Sequence, residues 1–427
     1  MASAAAQESE KDYFTDHSVL LDPYDYFEQI RKNGPVYQMK SREDVVIVTG
    51  FRESVDVLLN TRDFSSWVNP DPLAKLPFDL TGDEEDISDK LEGTSSTDIE
   101  LMVSYDGDRH TAARSLLNPL FTPSRLKANE EFMRGYADDM VREMVARSAA
   151  EMVNEVATPY VTMVIADLLG VPAEDREKFR EIIDAGPPPG NMDAGDGGQN
   201  IHPLMMMGAF FARYIGERRE APRDDVMTEM AQAKYPDGST PDAMEVVKSA
   251  MFLFAAGQDT SAKLLSNGMR RLCEDKDLQS RLRADRSLIG PFMEEVLRLE
   301  GSTKATFRIA RRRTKIGDMD IPAGKRVVVS MSAANRDPSR WEDPNAFIMG
   351  RPKIKEHLAF GRGAHTCAGA PLARAEVLVA FDRFLEHTSD ISLDEAHHGP
   401  ADARTFDYEP SFIIRGLANL HVKLTPA

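Results

Sequence analysis

Cysteine is nearly absent from this chain, with two residues in 427, Cys273 and Cys367. A disulfide framework is therefore excluded, and the pair has neither the spacing of a zinc knuckle nor that of a redox CxxC. No run of about 20 apolar residues occurs, which argues against a membrane-spanning helix. The opening MASAAAQESEKDYFTDHSV has no basic segment followed by an apolar one, so no secretory signal is expected. An excess of positive charge is lacking too: 52 Lys and Arg against 70 Asp and Glu, a net charge of −18, leave no general basic surface for phosphates, and nucleic acid is not the expected partner. A GxGxxG-type nucleotide fingerprint and a cluster-binding cysteine set are also lacking, so electrons for any redox chemistry must come from outside. What remains, 42% hydrophobic and 29% charged residues, is the composition of a soluble globular protein, with a reducing cytoplasm as the expected compartment.

The charge is uneven along the chain. Residues 301–375 hold 15 Lys and Arg against 6 Asp and Glu, a net of +9, which leaves about −27 for the remainder. That basic stretch surrounds Cys367.

Periodicity predicts a capped helix in DPYDYFEQIRKNG, then a hairpin from PVYQMK and DVVIVTG. Residues 65–104 read as a long irregular segment, of the kind that in a compact domain is functional or disordered. Helical patterns then run from Thr122 to about Ile183. The Gly/Pro/Asp-rich break at 185–200 is expected to act as a mobile lid. Past it, IHPLMMMGAFFARYIGERRE carries Met205, Met206, Met207, Phe210 and Phe211, either adaptable core packing or the deformable wall of an apolar site. A helical pattern of roughly 30 residues follows from Asp242, apolar on most faces through its middle, as a helix crossing the centre of a protein should be. β-like pieces come next in ATFRIA, TKIG and RVVVSMSAA, then a last helix from Pro371 and irregular strands in PSFIIRG and LHVKLT. The expected fold is mainly α with small antiparallel β-sheets, a helical core over about 105–300, and one domain spanning 1–427.

The stretch FGRGAHTCAGAPLAR places Cys367 among Gly361, Gly363 and Gly369 and just before Pro371, a residue suited to the first turn of a helix. A lone cysteine is usually a small apolar filler. Here, glycines that let the backbone turn tightly, and a helix N-terminus aimed back at the sulfur, both favour a thiolate. The ten-position pattern Phe360-x-x-Gly363-x-His365-x-Cys367-x-Gly369 resembles the haem-ligand signature of the cytochrome P-450 monooxygenases. Three further segments fall in that family's order. Glu295-Val296-Leu297-Arg298, about 70 residues before Cys367, resembles its ExxR pair, although an i,i+3 ion pair alone is common surface decoration. Ala256-Gly257-Gln258-Asp259-Thr260 resembles the acid-alcohol motif of its long central helix, and His110-Thr111-Ala112-Ala113-Arg114 its HTxxR segment. One departure stands out: the arginine that often completes a triad with ExxR is replaced by Ala346, and Arg351 is the candidate substitute.

The resemblance implies a cytochrome P-450 fold with haem between the long central helix and the cysteine-ligand helix. It implies heme b (iron protoporphyrin IX), with Cys367 in the ligand loop 360–369 as the axial metal ligand. His110, Arg114, Arg308 and His365 would take the propionates, Ala256, Gly257, Phe360 and Gly369 would line the macrocycle, and Glu295 and Arg298 would be structural. Asp259 and Thr260 would deliver protons for cleavage of dioxygen, the catalytic pair. Gly257 in mid-helix, where glycine costs about 1 kcal/mol against alanine, is expected to allow close approach of the backbone to a flat ligand. Leu253, Phe254, Ala255 and Ala256 are expected to form one wall of the substrate pocket, Thr303, Ala305, Thr306 and Phe307 another, with Phe412 and Ile413 closing it. The implied activity is insertion of one oxygen atom from O2 into an apolar small molecule of terpenoid, steroid or aromatic type. Electrons would arrive from NAD(P)H through a reductase and an acidic iron-sulfur ferredoxin docked over the basic segment, with Arg362 inside the docking face. A monomer is expected. Two other readings keep or drop the chemistry: a haem-thiolate peroxygenase or non-oxidative isomerase or dehydratase, against which Asp259 and Thr260 speak, and a haem-binding sensor or carrier, for which no output domain is visible.

Overall fold

A computed structural model describes residues 11–69, 71–97, 100–184 and 203–427. The expected lid at 185–200 lies outside the described residues, as do the side chains of Met205 and Met206.

The fold is organised around the helix Ala243–Glu274, 32 residues long, which at 1.5 Å per residue spans about 48 Å. Asp242 starts it by accepting a hydrogen bond from the Met244 amide at 2.8 Å, and Asp275 follows its last turn. Buried residues occur on nearly all of its faces. Helices Pro123–Arg147, Thr158–Leu168, Pro203–Glu220, Ile289–Glu300 and Ala370–His387 share with it one continuous apolar core. The last of these, the ligand helix, opens with Pro371 in its first turn, where a missing N–H costs nothing. It approaches the central helix so closely that a Cβ on Gly268 would sit 2.8 Å from Cζ of Phe381.

Among the described residues, ten short strands flank this helical body: β1 Val36–Gln38, β2 Val45–Val48, β3 Phe64–Ser65, β4 Ala149–Glu151, β5 Thr306–Ala310, β6 Thr314–Ile316, β7 Met319–Ile321, β8 Arg326–Val329, β9 Thr388–Leu393 and β10 His421–Pro426. They form sheets of order β1-β2-β8-β5-β3, β4-β10-β9 and β6-β7. The hairpin β1/β2 has the register Val36↔Val48. Every pairing is antiparallel except β2 with β8, which runs parallel with Val46 opposite Val327. Both of these strands are almost wholly buried and rich in valine, as a strand covered on both faces should be. Strand β5, antiparallel to β8 through Phe307↔Val328, carries Phe307 and Arg308 to the edge of the cavity described below. PSFIIRG, expected as a strand, makes only an isolated bridge, Thr303↔Ile414. Among the described residues no helix is long and apolar enough to cross a membrane.

Candidate functional site

The segment Phe360–Gly369 folds back on itself through the Cys367 amide, which donates to the Phe360 carbonyl at 2.9 Å. Gly361 and Gly363 adopt φ of +65° and +78°, and a Cβ on Gly363 would also lie 2.7 Å from the Leu58 carbonyl oxygen, so this glycine is needed twice over. Gly369 differs from the expectation. Its φ of −78° is ordinary, and a Cβ there would meet the Cys367 sulfur at a comfortable 3.9 Å. The amides of Gly369 and Ala370 do favour the thiolate, but burial is the larger effect and leaves the Cys367 thiol above its ordinary value. Backbone donors here offset only part of the desolvation of the sulfur. Cys273, on the central helix, is buried, and desolvation raises its thiol well above the usual range.

Although deep in the protein, Cys367 has an exposed side chain because it opens on an internal cavity of about 430 Å³. The central helix forms the facing wall through Leu253, Ala256, Gly257 and Thr260, joined by Phe252, Ser261 and Leu264. Ala256, in the middle of a core helix, is likewise exposed only because it faces this void. Three expectations need correction. Phe254 and Ala255 do not line the cavity; Phe254 packs on Phe179 and Phe211, with ring centroids 5.5 and 6.5 Å apart. A helix turns about 100° per residue, so four consecutive residues cannot share one wall. Gly257 contributes backbone to the lining, yet its missing Cβ points toward Ile165, whose Cδ1 would be 2.8 Å away; a methyl group there would press on the end of that side chain, on helix Thr158–Leu168, rather than on the cavity. Asp259 is buried on another side of the helix and does not reach the cavity, whereas the Thr260 hydroxyl does, while donating to the Ala256 carbonyl at 2.7 Å.

The remaining walls are mostly apolar. Thr303, Ala305, Thr306, Phe307 and Ile413 line the cavity, whereas Phe412 turns into the core against Phe14 and Phe307. Residues missed by sequence reasoning include Ile414, Glu376 and, from the irregular segment, Asn69, Met102 and Val103. Asn69 Oδ1 accepts from the Thr306 hydroxyl at 2.7 Å and the Phe307 amide at 3.0 Å, which ties that segment to β5. No motif marks Asn69; only the fold brings it there.

At one end of the cavity lie His110, Arg114, Arg308 and His365. The two imidazoles lie against one another with centroids 3.9 Å apart and planes tilted by 38°, and the His365 Nε2 and the Ser66 hydroxyl lie 3.0 Å apart. Arg308 is buried and donates to the Thr306 hydroxyl at 3.2 Å and the Phe307 carbonyl at 2.7 Å. Asp106, the acid acting on Arg308, is itself bonded to Ser65, Ser66 and Arg311. Burial pushes Arg308 down to about 10. His365 falls to about 2, through burial and then through Arg308, His110 and Arg114. Two buried-rim arginines with two neutral imidazoles at the edge of an apolar slot, with a cysteine sulfur on one face and a bare helix turn on the other, supply the cations and donors that haem's two carboxylates need. Phe360 lies beside the sulfur loop, its ring covered by the Arg374 guanidinium at 4.6 Å.

Below the ligand loop, Glu295 and Arg298 are fully buried. Glu295 Oε1 accepts from Arg298 Nη2 at 2.7 Å, Arg351 Nε at 2.8 Å and the Ile348 amide at 2.9 Å, and Oε2 from Arg298 Nε at 2.9 Å. Arg351 thus occupies the third place, and Ala346 contributes only its carbonyl, which accepts from both arginines. The basic stretch is largely paired with acids of the same chain, some of them at the surface: Arg311 pairs with Asp106, Arg313 with Glu85, Arg326 with Asp44, Arg340 with Glu356 and Arg374 with Glu294.

A family model for Cytochrome P450 matches residues 210–392. The cytochrome P450 monooxygenase PikC of Streptomyces venezuelae is 31% identical, over 94% of this chain and 91% of its own length. Cytochrome P450(BM-1) of Priestia megaterium is 30% identical over 92% and 95%. Among solved structures, the substrate-free form of Mycobacterium marinum CYP150A6 is 45% identical, covers 98% of this chain and 99% of its own, and superposes with a TM-score of 0.90. CYP109E1 from Bacillus megaterium, solved in complex with corticosterone, is 26% identical over 95% and 99%, with a TM-score of 0.78.

Proposed function

Since this chain belongs to the cytochrome P450 superfamily and is a monooxygenase of that family, with a haem-iron cofactor, we propose that it inserts one atom of O2 into an apolar small molecule of terpenoid, steroid or aromatic type. The carrying observation is the cavity that opens between the Cys367 sulfur and the Ala256–Thr260 turn, closed at one end by four basic side chains. The cofactor proposed is heme b, held by Cys367 on iron and by His110, Arg114, Arg308 and His365 on its carboxylates. Bound through a cysteine sulfur, it supplies the electron-rich iron that activates dioxygen.

The chain's own residues do the rest. Arg308 and His365, already desolvated, hold the macrocycle's acidic edge. Leu253, Phe307, Ile413 and Ile414 exclude water and leave an apolar substrate as the favoured occupant. Thr260 spends its hydroxyl proton on the Ala256 carbonyl, which leaves its lone pairs free to receive a hydrogen bond from the cavity. Asp259, pushed up to about 7 by burial, can hold and release a proton near neutrality. Steroid as a substrate class draws support from the corticosterone held by CYP109E1.

Electrons would come from NAD(P)H through a reductase and an acidic ferredoxin. With most of the basic stretch paired internally, the docking face contracts to the exposed Lys353 and Lys355, the half-buried Arg362 and the 55%-exposed Leu59 beside the ligand loop. The reading is of a cytoplasmic monomer with one domain over 1–427. It is tested by adding carbon monoxide to the reduced protein: the strongly red-shifted Soret band of thiolate-ligated haem is expected, and Cys367→Ala should abolish it. Retention of that band by the variant would refute the assignment. Turnover driven by hydrogen peroxide but not by a ferredoxin system would replace the monooxygenase reading with a peroxygenase.

A further inference from the structure

Several polar groups that line the cavity are already committed. The Thr260 hydroxyl donates to the Ala256 carbonyl and that of Thr366 to the Gly363 carbonyl. Arg308 Nη1 is spent on the Thr306 hydroxyl at 3.2 Å and the Phe307 carbonyl at 2.7 Å. A hydroxyl has a single proton to give, and Thr306 gives it to Asn69 Oδ1 at 2.7 Å.

The Phe307 amide settles which way the Asn69 side chain faces. A backbone N–H can only donate, so the atom 3.0 Å from it is the side-chain oxygen, and a flipped amide would set NH2 against N–H. The two protons on Nδ2 are left over. No hydrogen bond reaches this nitrogen among the described residues, and it is not one of the atoms sealed in protein without a partner. Asn69 itself is half-buried and lines the cavity.

A run of polarised bonds therefore leads from the Arg308 cation through the Thr306 hydroxyl to the Asn69 amide, with an N–H donor at its open end. Each donation in such a run strengthens the next. The lining around it is apolar, with Met102, Val103, Phe307 and Ile413. In a site that excludes water an unmatched donor costs free energy, whereas a matched one orients its ligand. The hydroxyls of Ser302 and Thr303, which also line the cavity, accept as readily as they donate and impose no such preference.

We propose that Asn69 is a specificity-determining residue whose Nδ2 donates a hydrogen bond to a carbonyl oxygen of the substrate. The favoured substrate is then an apolar ketone or other carbonyl compound, ahead of a bare hydrocarbon or an amine. The inference rests on the monooxygenase reading of this cavity given above. In this role Thr306 and Arg308 act through the amide, as positioning residues.

The test uses the ferric holoprotein and pairs of probes that share a skeleton: menthone with menthane, progesterone with pregnane, acetophenone with ethylbenzene. Affinities are read from the spin-state shift, and the quantity compared is the preference for ketone over hydrocarbon within a pair. Asn69→Leu should lower that preference about three- to tenfold, the weight of one neutral hydrogen bond. Asn69→Asp keeps an oxygen for Thr306 and Phe307 but replaces the donor by an acceptor, so it should lower the preference at least as far. It also decides alone if Asn69→Leu does not fold. A preference unchanged in both variants overturns the proposal, and a fall in haem content in its place would assign Nδ2 to a haem carboxylate. Loss of the preference in Thr303→Val but in neither Asn69 variant would make the threonine the donor and overturn it too. If no pair binds although the carbon monoxide band is intact, the apolar-substrate reading fails and this inference with it. Pairs that bind with an unmoved preference defeat only the role of Asn69.

Discussion

Removal of Arg351 tests whether it completes the buried carboxylate triad or merely fills its place. Replacing it by methionine deletes donors to Glu295 Oε1 and to the carbonyls of Glu342, Asp343 and Ala346. Most of those acceptors keep a partner. Glu295 Oε1 retains Arg298 Nη2 and the Ile348 amide, Ala346 retains Arg298 Nη2, and the Asp343 carbonyl retains the Ala346 amide at 3.0 Å. What is lost is close to one hydrogen bond between charged groups, so the expected cost is about 2 kcal/mol. Arg298→Met is a harsher change. It leaves Glu295 Oε2 without its donor and strips the Asn335 and Pro344 carbonyls, both held by Nη1 at 2.9 and 2.7 Å. Breaking a buried pair in that way costs about 3–5 kcal/mol. Urea unfolding midpoints of the two variants, compared at equal slope, should therefore rank Arg298→Met well below Arg351→Met and both below the native protein. Arg351→Lys should recover part of the loss, because an ammonium can reach the carboxylate but cannot span the three carbonyls. If Arg351→Met were as damaging as Arg298→Met, or cost less than about 1 kcal/mol, the division of labour read from these hydrogen bonds would be wrong.

Thr260→Ala should still bind haem and substrate yet form less product per reduced nicotinamide consumed; an unchanged ratio would mean that the hydroxyl serves only its bond to the Ala256 carbonyl, a common habit of helical threonines. At the docking face, charge reversal of Lys353 and Lys355 together should slow electron transfer from an acidic ferredoxin more than Arg362→Glu alone, since Arg362 is half-buried and donates to the Glu356 carbonyl at 2.9 Å. The gap should close at high salt, where exposed charges are screened, and a rate indifferent to both changes would remove this face as the docking site.

Motifs whose meaning is covalent or local were legible in the sequence. The ligand loop needed its positive-φ glycines, and the central helix announced its length and its burial. Faces were harder to read. Leu253 to Ala256 looked like one wall because all four are apolar, and only the helical turn sends Phe254 toward Phe179 and Phe211. Gly257 seemed shaped by the ligand when Ile165 is its tighter neighbour. The substitute Arg351 could be nominated by proximity to Ala346, but its acceptors lie on four residues from two segments, which no spacing rule encodes. Long-range partners such as Asn69 for Thr306 were invisible for the same reason: 237 positions separate them.

The excess positive charge of residues 301–375 illustrates why composition overstated a surface and understated a core. Arginines there meet acids from far upstream, Arg313 with Glu85 and Arg326 with Asp44, so the acidity of the remainder and the basicity of this stretch largely answer one another. The central helix shows the converse. Its sequence reads as apolar on most faces, yet Asp259, Lys263, Asn267 and Arg270 fall at spacings of four, four and three and form a polar seam, buried at its first three positions and half-buried at the last. Asn267 donates to the Glu300 carbonyl at 3.0 Å and Arg270 pairs with the Glu300 carboxylate at 3.2 Å, while Lys263 reaches Glu409 and Leu417. Burying polar groups in this way is tolerable only where each finds a partner. Along the seam Asp259 Oδ2, Asn267 Oδ1 and Arg270 Nε are all left without a partner among the described residues, and of these three side chains only Asp259, pushed up to about 7 by burial, can relieve that cost by taking up a proton.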